Sequence, residues 1–274
     1  MCRWLAYSGA PLYLEELLFK PERSLIDQSL SSRLTLTPTS GDGFGVGWYG
    51  GRRFPGLYRS TQPAWNNDNL RDLAAQIEAP IFLAHVRAAT LGAIQHSNCH
   101  PFRHGHWLFM HNGTIAGFSR VRRALMLAIH PDLFPLIRGT TDSEVMFYLA
   151  LTFGLEEDPA GALERMVGLV EQVATEVGIE GAMQMTLGVS EGTKVFGVRY
   201  STRGQAPTLY HSRGIEALHE LRPEVVRFSA DARAVVSEPL SALTEFWVEI
   251  PESSCVVVEK GEVEVHSFNP QVPA

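Results

Sequence analysis

The second residue of the chain, Cys2, stands directly behind the initiator methionine. If Met1 is trimmed, that one residue carries both a thiol and a free α-amino group. A thiol attacks as its thiolate, and an amine with a pKa of about 8 can serve as the base that makes it. Four stretches hold more polar and glycine residues than their apolar neighbourhoods require: Cys2 with Arg3, GDGFGVGWY at 41–49, HVRAAT with the following NCHPF, and HNG followed by TDSE. Arg87 ends an apolar run, where it is either half of a structural salt bridge or a planar clamp for a substrate carboxylate. Asn112 and Gly113 read either as a turn dipeptide or as two uncharged donors for an oxyanion. Asp142 is either a plain helix-start carboxylate or a ligand for an ammonium group.

Taken together, a thiol, an adjacent amine, an oxyanion pair, an arginine and an aspartate describe recognition of an α-amino acid whose side-chain amide is attacked. Such a substrate is glutamine or a γ-glutamyl amide. Two other chemistries fit less well. His96, Cys99 and His100 are too tightly spaced for a zinc site and lack an evident fourth ligand, so no metal is expected. The glycines of 41–49 lack GxGxxG spacing and its strand-then-helix context, which argues against a dinucleotide cofactor and for a strand that another group approaches closely.

Elements must hold these residues together. Residues 3–9, 44–49, 80–87 and 106–112 are short apolar or aromatic runs bounded by turn or polar residues, the pattern of strands. Apolar spacing then predicts helices over 119–129, 141–153 and 158–177, the second started by Thr140 or Thr141 with Glu144 following. From 182 onward strands return: AMQMTLGVS, TKVFGVRY, APTLYHS, RAVVSEPL, CVVVEKG and EVEVHSF. Consecutive strands joined by short turns imply antiparallel sheet rather than βαβ units. One domain over 2–274 is expected, with 260–274 as a loose tail.

Composition narrows the class. A net charge of −7 argues against a polyanion-binding protein. Three cysteines without CxxC spacing predict free thiols and a reducing compartment, and Glu15 and Glu16 interrupt any secretory signal. No run of about 18 apolar residues is present, so no membrane span is expected. These features point to the cytoplasm.

The ordered motifs MCRWLAYSGAP, DGFGVGWYG, AHVRAAT, NCHPF, HNG, TDSEV and VVSEPL resemble those of the class II glutamine amidotransferases, a family of N-terminal-nucleophile hydrolases. The likeness is greatest to the stand-alone branch that includes the ergothioneine-pathway γ-glutamyl amidase and the glutathione-degrading amidotransferases. It implies an α+β fold, a four-layer αββα sandwich of two antiparallel sheets flanked by helices. It also implies Cys2 as nucleophile with its own amine as base, Arg87 and Thr90 on the substrate carboxylate, Asp142 on the ammonium, and Asn112 with Gly113 on the oxyanion. Trp48, Tyr49, His100 and His111 are candidates to line the pocket. Residues 87–91 read Arg-Ala-Ala-Thr-Leu where many synthase-feeding members read Arg-Trp-Ala-Thr-His, so the closing-loop details of those members do not carry over.

The expected activity is hydrolysis of glutamine or a small γ-glutamyl compound, with no cofactor, no nucleic acid and no membrane. Two alternatives stay open. One is a glutaminase subunit that supplies ammonia to a separate synthase partner; the other is a catalytically silent amino-acid-binding protein.

Overall fold

The computed structural model of the chain describes residues 2–31, 39–89, 92–214 and 228–273. In β1 (Arg3–Tyr13), Leu5 and Tyr7 turn to one side, Trp4 and Ala6 to the other, and all four are buried. A strand apolar on both faces needs a layer against each. Leu5 and Tyr7 join a cluster with side chains of α1 (Glu15–Leu18), α2 (Leu25–Leu30) and α3 (Asp68–Gln76). Trp4 and Ala6 meet Leu108 and Met110 of β6 (Trp107–Ile115). The reverse face of β6 carries Trp107 and Phe109 into a third cluster with α4 (Phe118–Leu127), α5 (Asp142–Thr152) and α6 (Pro159–Glu176). Period-two alternation in two strands thus produces the expected order of layers: helix, sheet, sheet, helix.

The first sheet contains β1, β2 (Phe44–Tyr49), β3 (Gly56–Ser60), β4 (Glu78–Val86), β9 (Tyr210–Ser212), β10 (Arg233–Val236) and β11 (Trp247–Glu249). Its order is β11-β9-β10-β1-β4-β2-β3. The second contains β5 (Phe102–His104), β6, β7 (Met183–Ser190), β8 (Val195–Ser201), β12 (Ser254–Glu259) and β13 (Glu262–Ser267), in the order β13-β12-β8-β7-β6-β5. Neighbours in both sheets are antiparallel. Polar contacts tie the sheets across the apolar gap, two of them made by aromatic side chains. The Trp4 indole N–H donates to Thr186 Oγ1 at 3.0 Å, and the Tyr49 hydroxyl donates to the Ser190 carbonyl at 2.6 Å.

Each predicted helix is found, trimmed by its caps. Thr141 Oγ1 accepts the Glu144 amide and starts α5; the Asp158 side chain accepts the Gly161 amide and starts α6 ahead of Pro159. Helix α5 is buried from Asp142 through Ala150, because sheet and helices surround it. The helices α1, α2 and α3 and the strands β3, β5 and β11 are additional to those expected. Helices of four and six residues are too short to display a helical period.

The expected loose tail is a correction. Residues 262–267 pair with β12 as β13, and Phe268 is buried. Beyond it, the Asn269 amide donates to Glu164 Oε1 at 2.7 Å and the Gln271 amide to the Glu164 carbonyl at 3.2 Å. The close pass is possible because α6 offers Gly168 there: a Cβ on it would stand 2.1 Å from the Gln271 carbonyl oxygen. Apolar burial and pairing of the backbone hold the end of the chain down.

Candidate active site

Cys2 lies one residue before β1, beside the end of β4, where Arg3 is in register with Val86. There the chain beyond β4 turns over the thiol. The Ala88 amide donates to Cys2 Sγ at 3.3 Å, and the thiol in turn reaches the Ala88 carbonyl at 3.4 Å. Burial pushes the thiol pKa up, while the Ala88 N–H and the charges of Arg87 and Arg3 pull it down. A base is therefore needed to make the thiolate near neutral pH.

Arg87 is buried immediately beyond β4. Its backbone is clamped, its amide donating to the Gly43 carbonyl at 2.8 Å and its carbonyl accepting from the Asp42 amide at 2.9 Å. Asp42 also accepts the Ala89 amide at 2.8 Å. The glycine-rich stretch 41–49 thus does what the sequence suggests, letting neighbouring groups come close. A Cβ on Gly43 would meet Cys99 Sγ at 2.7 Å, and one on Gly45 would meet the His100 carbonyl at 2.2 Å.

Asn112 and Gly113 belong to β6 rather than to a turn. Alternation places Asn112 on the face that carries Leu108 and Met110, between the sheets. Thr186, the partner of the Trp4 indole, is in register with Asn112. Since Cys2 precedes Trp4 by two residues, the thiol and Asn112 come from opposite sheets to the same end of the interlayer. Gly113 has φ +153°, and a Cβ there would stand 2.0 Å from the Gln184 carbonyl, so the position admits only glycine without rearrangement.

Asp142 opens α5. Its Oδ2 accepts the Ile115 amide at 2.9 Å and its Oδ1 the Ser143 amide at 2.8 Å. The Ser143 hydroxyl also donates to Oδ1 at 3.1 Å, so it is Oδ2 that keeps a lone pair for a further donor. The carboxylate is thereby fixed to the end of β6, three residues past Asn112.

Three of the suspected pocket residues stand elsewhere. Trp48 and Tyr49 sit at the far end of β2, in register with Phe82 and Ile81, whereas the end near Cys2 is Phe44, in register with Val86. His111 shares β6 with Asn112 but faces the helices, its Nδ1 2.8 Å from Ser143 Oγ. A one-residue offset in a strand reverses the face. His100 is buried, with its ring 4.2 Å from His85 and 4.5 Å from Phe102. Cys99 directs its S–H to the Ser60 carbonyl at 3.3 Å. Thr90 and Met1 lie outside the described residues.

Three positioning residues escape a reading of the sequence alone. His85 Nε2 donates to the His111 carbonyl at 3.2 Å, bridging the strand that leads to Arg87 and the strand that carries Asn112. Because a carbonyl only accepts, this contact fixes the Nε2–H tautomer. Arg3 donates from Nη1 to the Cys2 carbonyl at 2.7 Å and is itself held by Glu238. Both partners are buried. The motifs AHVRAAT and VVSEPL contained His85 and Glu238, yet nothing in their order along the chain indicates these contacts.

The described residues thus hold a thiol on a fixed amide, a buried guanidinium one residue before that amide, and a buried carboxylate fixed to the end of β6. Residues 22–273 match the family model described as glutamine amidotransferases class-II. The chain is 33% identical, over 97% of its length and 84% of the relative's, to the Saccharomyces cerevisiae protein named probable glutamine amidotransferase DUG3. It is 34% identical to the γ-glutamyl-hercynylcysteine sulfoxide hydrolase of Mycolicibacterium smegmatis, over 61% of this chain and 69% of that one. A solved glutamine aminotransferase class-II domain protein from Silicibacter pomeroyi superposes with a TM-score of 0.76 at 32% identity, covering 98% of this chain and all of the other. The glutamine phosphoribosylpyrophosphate amidotransferase of B. subtilis shares the fold at a TM-score of 0.66 and 13% identity, over 99% of this chain and 50% of the enzyme. The chain belongs to the class II glutamine amidotransferases, enzymes of the N-terminal-nucleophile hydrolase fold.

Proposed function

We propose that this protein hydrolyses the side-chain amide of glutamine or of a small γ-glutamyl compound. The observation that carries the reading is the seating of Cys2 Sγ on the Ala88 amide, one residue from the buried Arg87, with Asn112 brought from the opposing sheet. With Met1 removed, the α-amino group of Cys2 takes the thiol proton, directly or through water, and the sulfur attacks the γ-carbonyl. The Asn112 side chain and the Gly113 amide receive the oxyanion, and neither carries a charge to be neutralised first. Collapse of the adduct breaks the C–N bond, the amine or ammonia leaves with the proton from the base, and a γ-glutamyl thioester remains on Cys2. Water then cleaves the thioester to glutamate and restores the thiol.

Arg87 clamps the substrate carboxylate, with Thr90 beside it, and Asp142 receives the ammonium. The neighbouring hydrolases that bear γ-glutamyl in their names support a γ-glutamyl compound as substrate. A cytoplasmic location accords with free Cys2, Cys99 and Cys255. Among the described residues no helix is long and apolar enough to cross a membrane.

The test is glutamate release from a panel of γ-glutamyl compounds, glutamine included, using protein whose intact mass confirms loss of Met1. Turnover of one compound well above glutamine, abolished in Cys2→Ala, is expected. Weak glutamine hydrolysis alone would favour ammonia delivery to a separate synthase, and no release from any compound would overturn the reading.

A further inference from the structure

A polar cavity of about 290 Å3 lies beside α5, lined there by Glu144 and Tyr148. Three arginines from separate parts of the chain line it: Arg59 from β3, Arg103 from β5 and Arg138 from the segment leading into α5. One carboxyl, that of Glu144, lies among them, and its oxygens are engaged by the Arg138 amide at 3.0 Å and the Gly139 amide at 2.5 Å. Three guanidinium groups against one carboxyl leave a surplus of two positive charges.

Part of the guanidinium hydrogen-bonding capacity is unspent. Arg59 Nη1 donates to the Cys99 carbonyl at 3.1 Å, but Arg59 Nε is buried without a hydrogen-bond partner. Arg103 Nη1 donates to the Pro55 carbonyl at 2.9 Å. Burial lowers the pKa of Arg59, Cys99 and Glu144 oppose that shift, and Arg103 and Arg138 add smaller like-charge repulsion. Guanidinium groups gathered around one cleft repel one another, and an anion bound among them relieves that repulsion.

We propose that this cavity is a binding site for a phosphate group borne by a small metabolite. A phosphate monoester carries close to two negative charges at neutral pH, which matches the surplus, and presents three acceptor oxygens to guanidinium forks from three directions. The volume falls at the small end of ligand pockets, which range from about 300 Å3 upward. The site also adjoins the segment that delivers Asp142. Residues 138–141 run from the cavity to the start of α5, with the Gly139 amide on Glu144 and the Thr140 amide on Asn98 Oδ1 at 2.9 Å. A phosphate on Arg138 would stiffen that segment, so occupancy and the placement of Asp142 are linked.

Isothermal titration calorimetry at constant ionic strength provides the test, with orthophosphate, glycerol phosphate and succinate as separate titrants. Orthophosphate and glycerol phosphate should bind saturably at one site, and succinate should not. Arg138→Ala and Arg103→Ala alter exposed side chains, and each should weaken phosphate binding by about tenfold without changing the melting temperature in phosphate-free buffer. Arg59→Gln should weaken it at least as much. Absence of saturable binding, or equal affinity in all three variants, would overturn the site. Succinate binding as tight as phosphate would overturn the choice of phosphate. None of these readouts depends on turnover, so the proposal stands or falls apart from the γ-glutamyl hydrolysis proposed above.

Discussion

Arg3 donates to Glu238 Oε1 from Nε at 2.5 Å, across a separation of 235 positions in the chain, while its Nη1 holds the Cys2 carbonyl. The pair thus anchors the residue that bears the thiol to the stretch following β10. Both side chains are buried, so removing one partner strands the other's charge away from water. Glu238→Gln should lower stability by about 3 kcal/mol in urea unfolding. On the proposed mechanism it should also reduce kcat more than it raises KM, because the reacting sulfur rather than the substrate clamp is displaced. A loss confined to stability would assign the pair a purely structural part.

Acid should unfold the protein through its buried histidines. Burial pushes His85 down to about 3 from an ordinary 6.5, and His100 and His111 are lowered for the same reason. Between those values the unfolded chain binds the proton and the folded chain does not. The histidines' stabilising contribution is therefore fully present above about pH 6.5 and is lost as the pH falls below it, at up to ~1.4 kcal/mol per pH unit for each histidine. Urea midpoints measured from pH 7.5 to pH 5 should fall steeply below 6.5. His85→Gln should start from a lower midpoint and decline less. A flat profile in the native protein would contradict neutral burial.

Adjacent residues on β6 should fail in different ways. Asn112→Ala should cut kcat by about 10²–10³ on the proposed reading, the usual effect of deleting one oxyanion donor. Gly113→Ala should chiefly impair folding, since its Cβ would collide with the Gln184 carbonyl backbone at 2.0 Å. Circular dichroism and kcat measured on both variants separate the two outcomes. A folded, fully active Asn112→Ala enzyme would remove Asn112 from the mechanism.

Phe268 should prove part of the core despite its place near the end of the chain. It is 1% exposed and its ring centroid lies 5.5 Å from that of Tyr200. Phe268→Ala should cost about 3–5 kcal/mol, measured by urea unfolding. A change below about 1 kcal/mol would restore the loose tail expected over 260–274.

How far the sequence reached differs from residue to residue, and the reason is the range of the interaction. Local rules operate over a few positions: the short apolar runs of β1 and β6, the Thr141 cap, and the apolar spacing of α4, α5 and α6 were all legible. So were the chemical types at Cys2, Arg87, Asn112 and Asp142, because a nucleophile, a cation and a carboxylate are properties of single residues. Which face each residue would occupy required the strand boundaries, and this is where His111 and Asn112 part company. Trp48 and Tyr49 needed more still, since only the register of β2 on β4 reveals that they lie at the end remote from Cys2. The contacts of His85 with His111, Arg3 with Glu238 and Trp4 with Thr186 join positions far apart in the chain. They exist only because two sheets stack face to face, and that stacking is fixed by the burial of both apolar surfaces at once, which no short window of sequence can express.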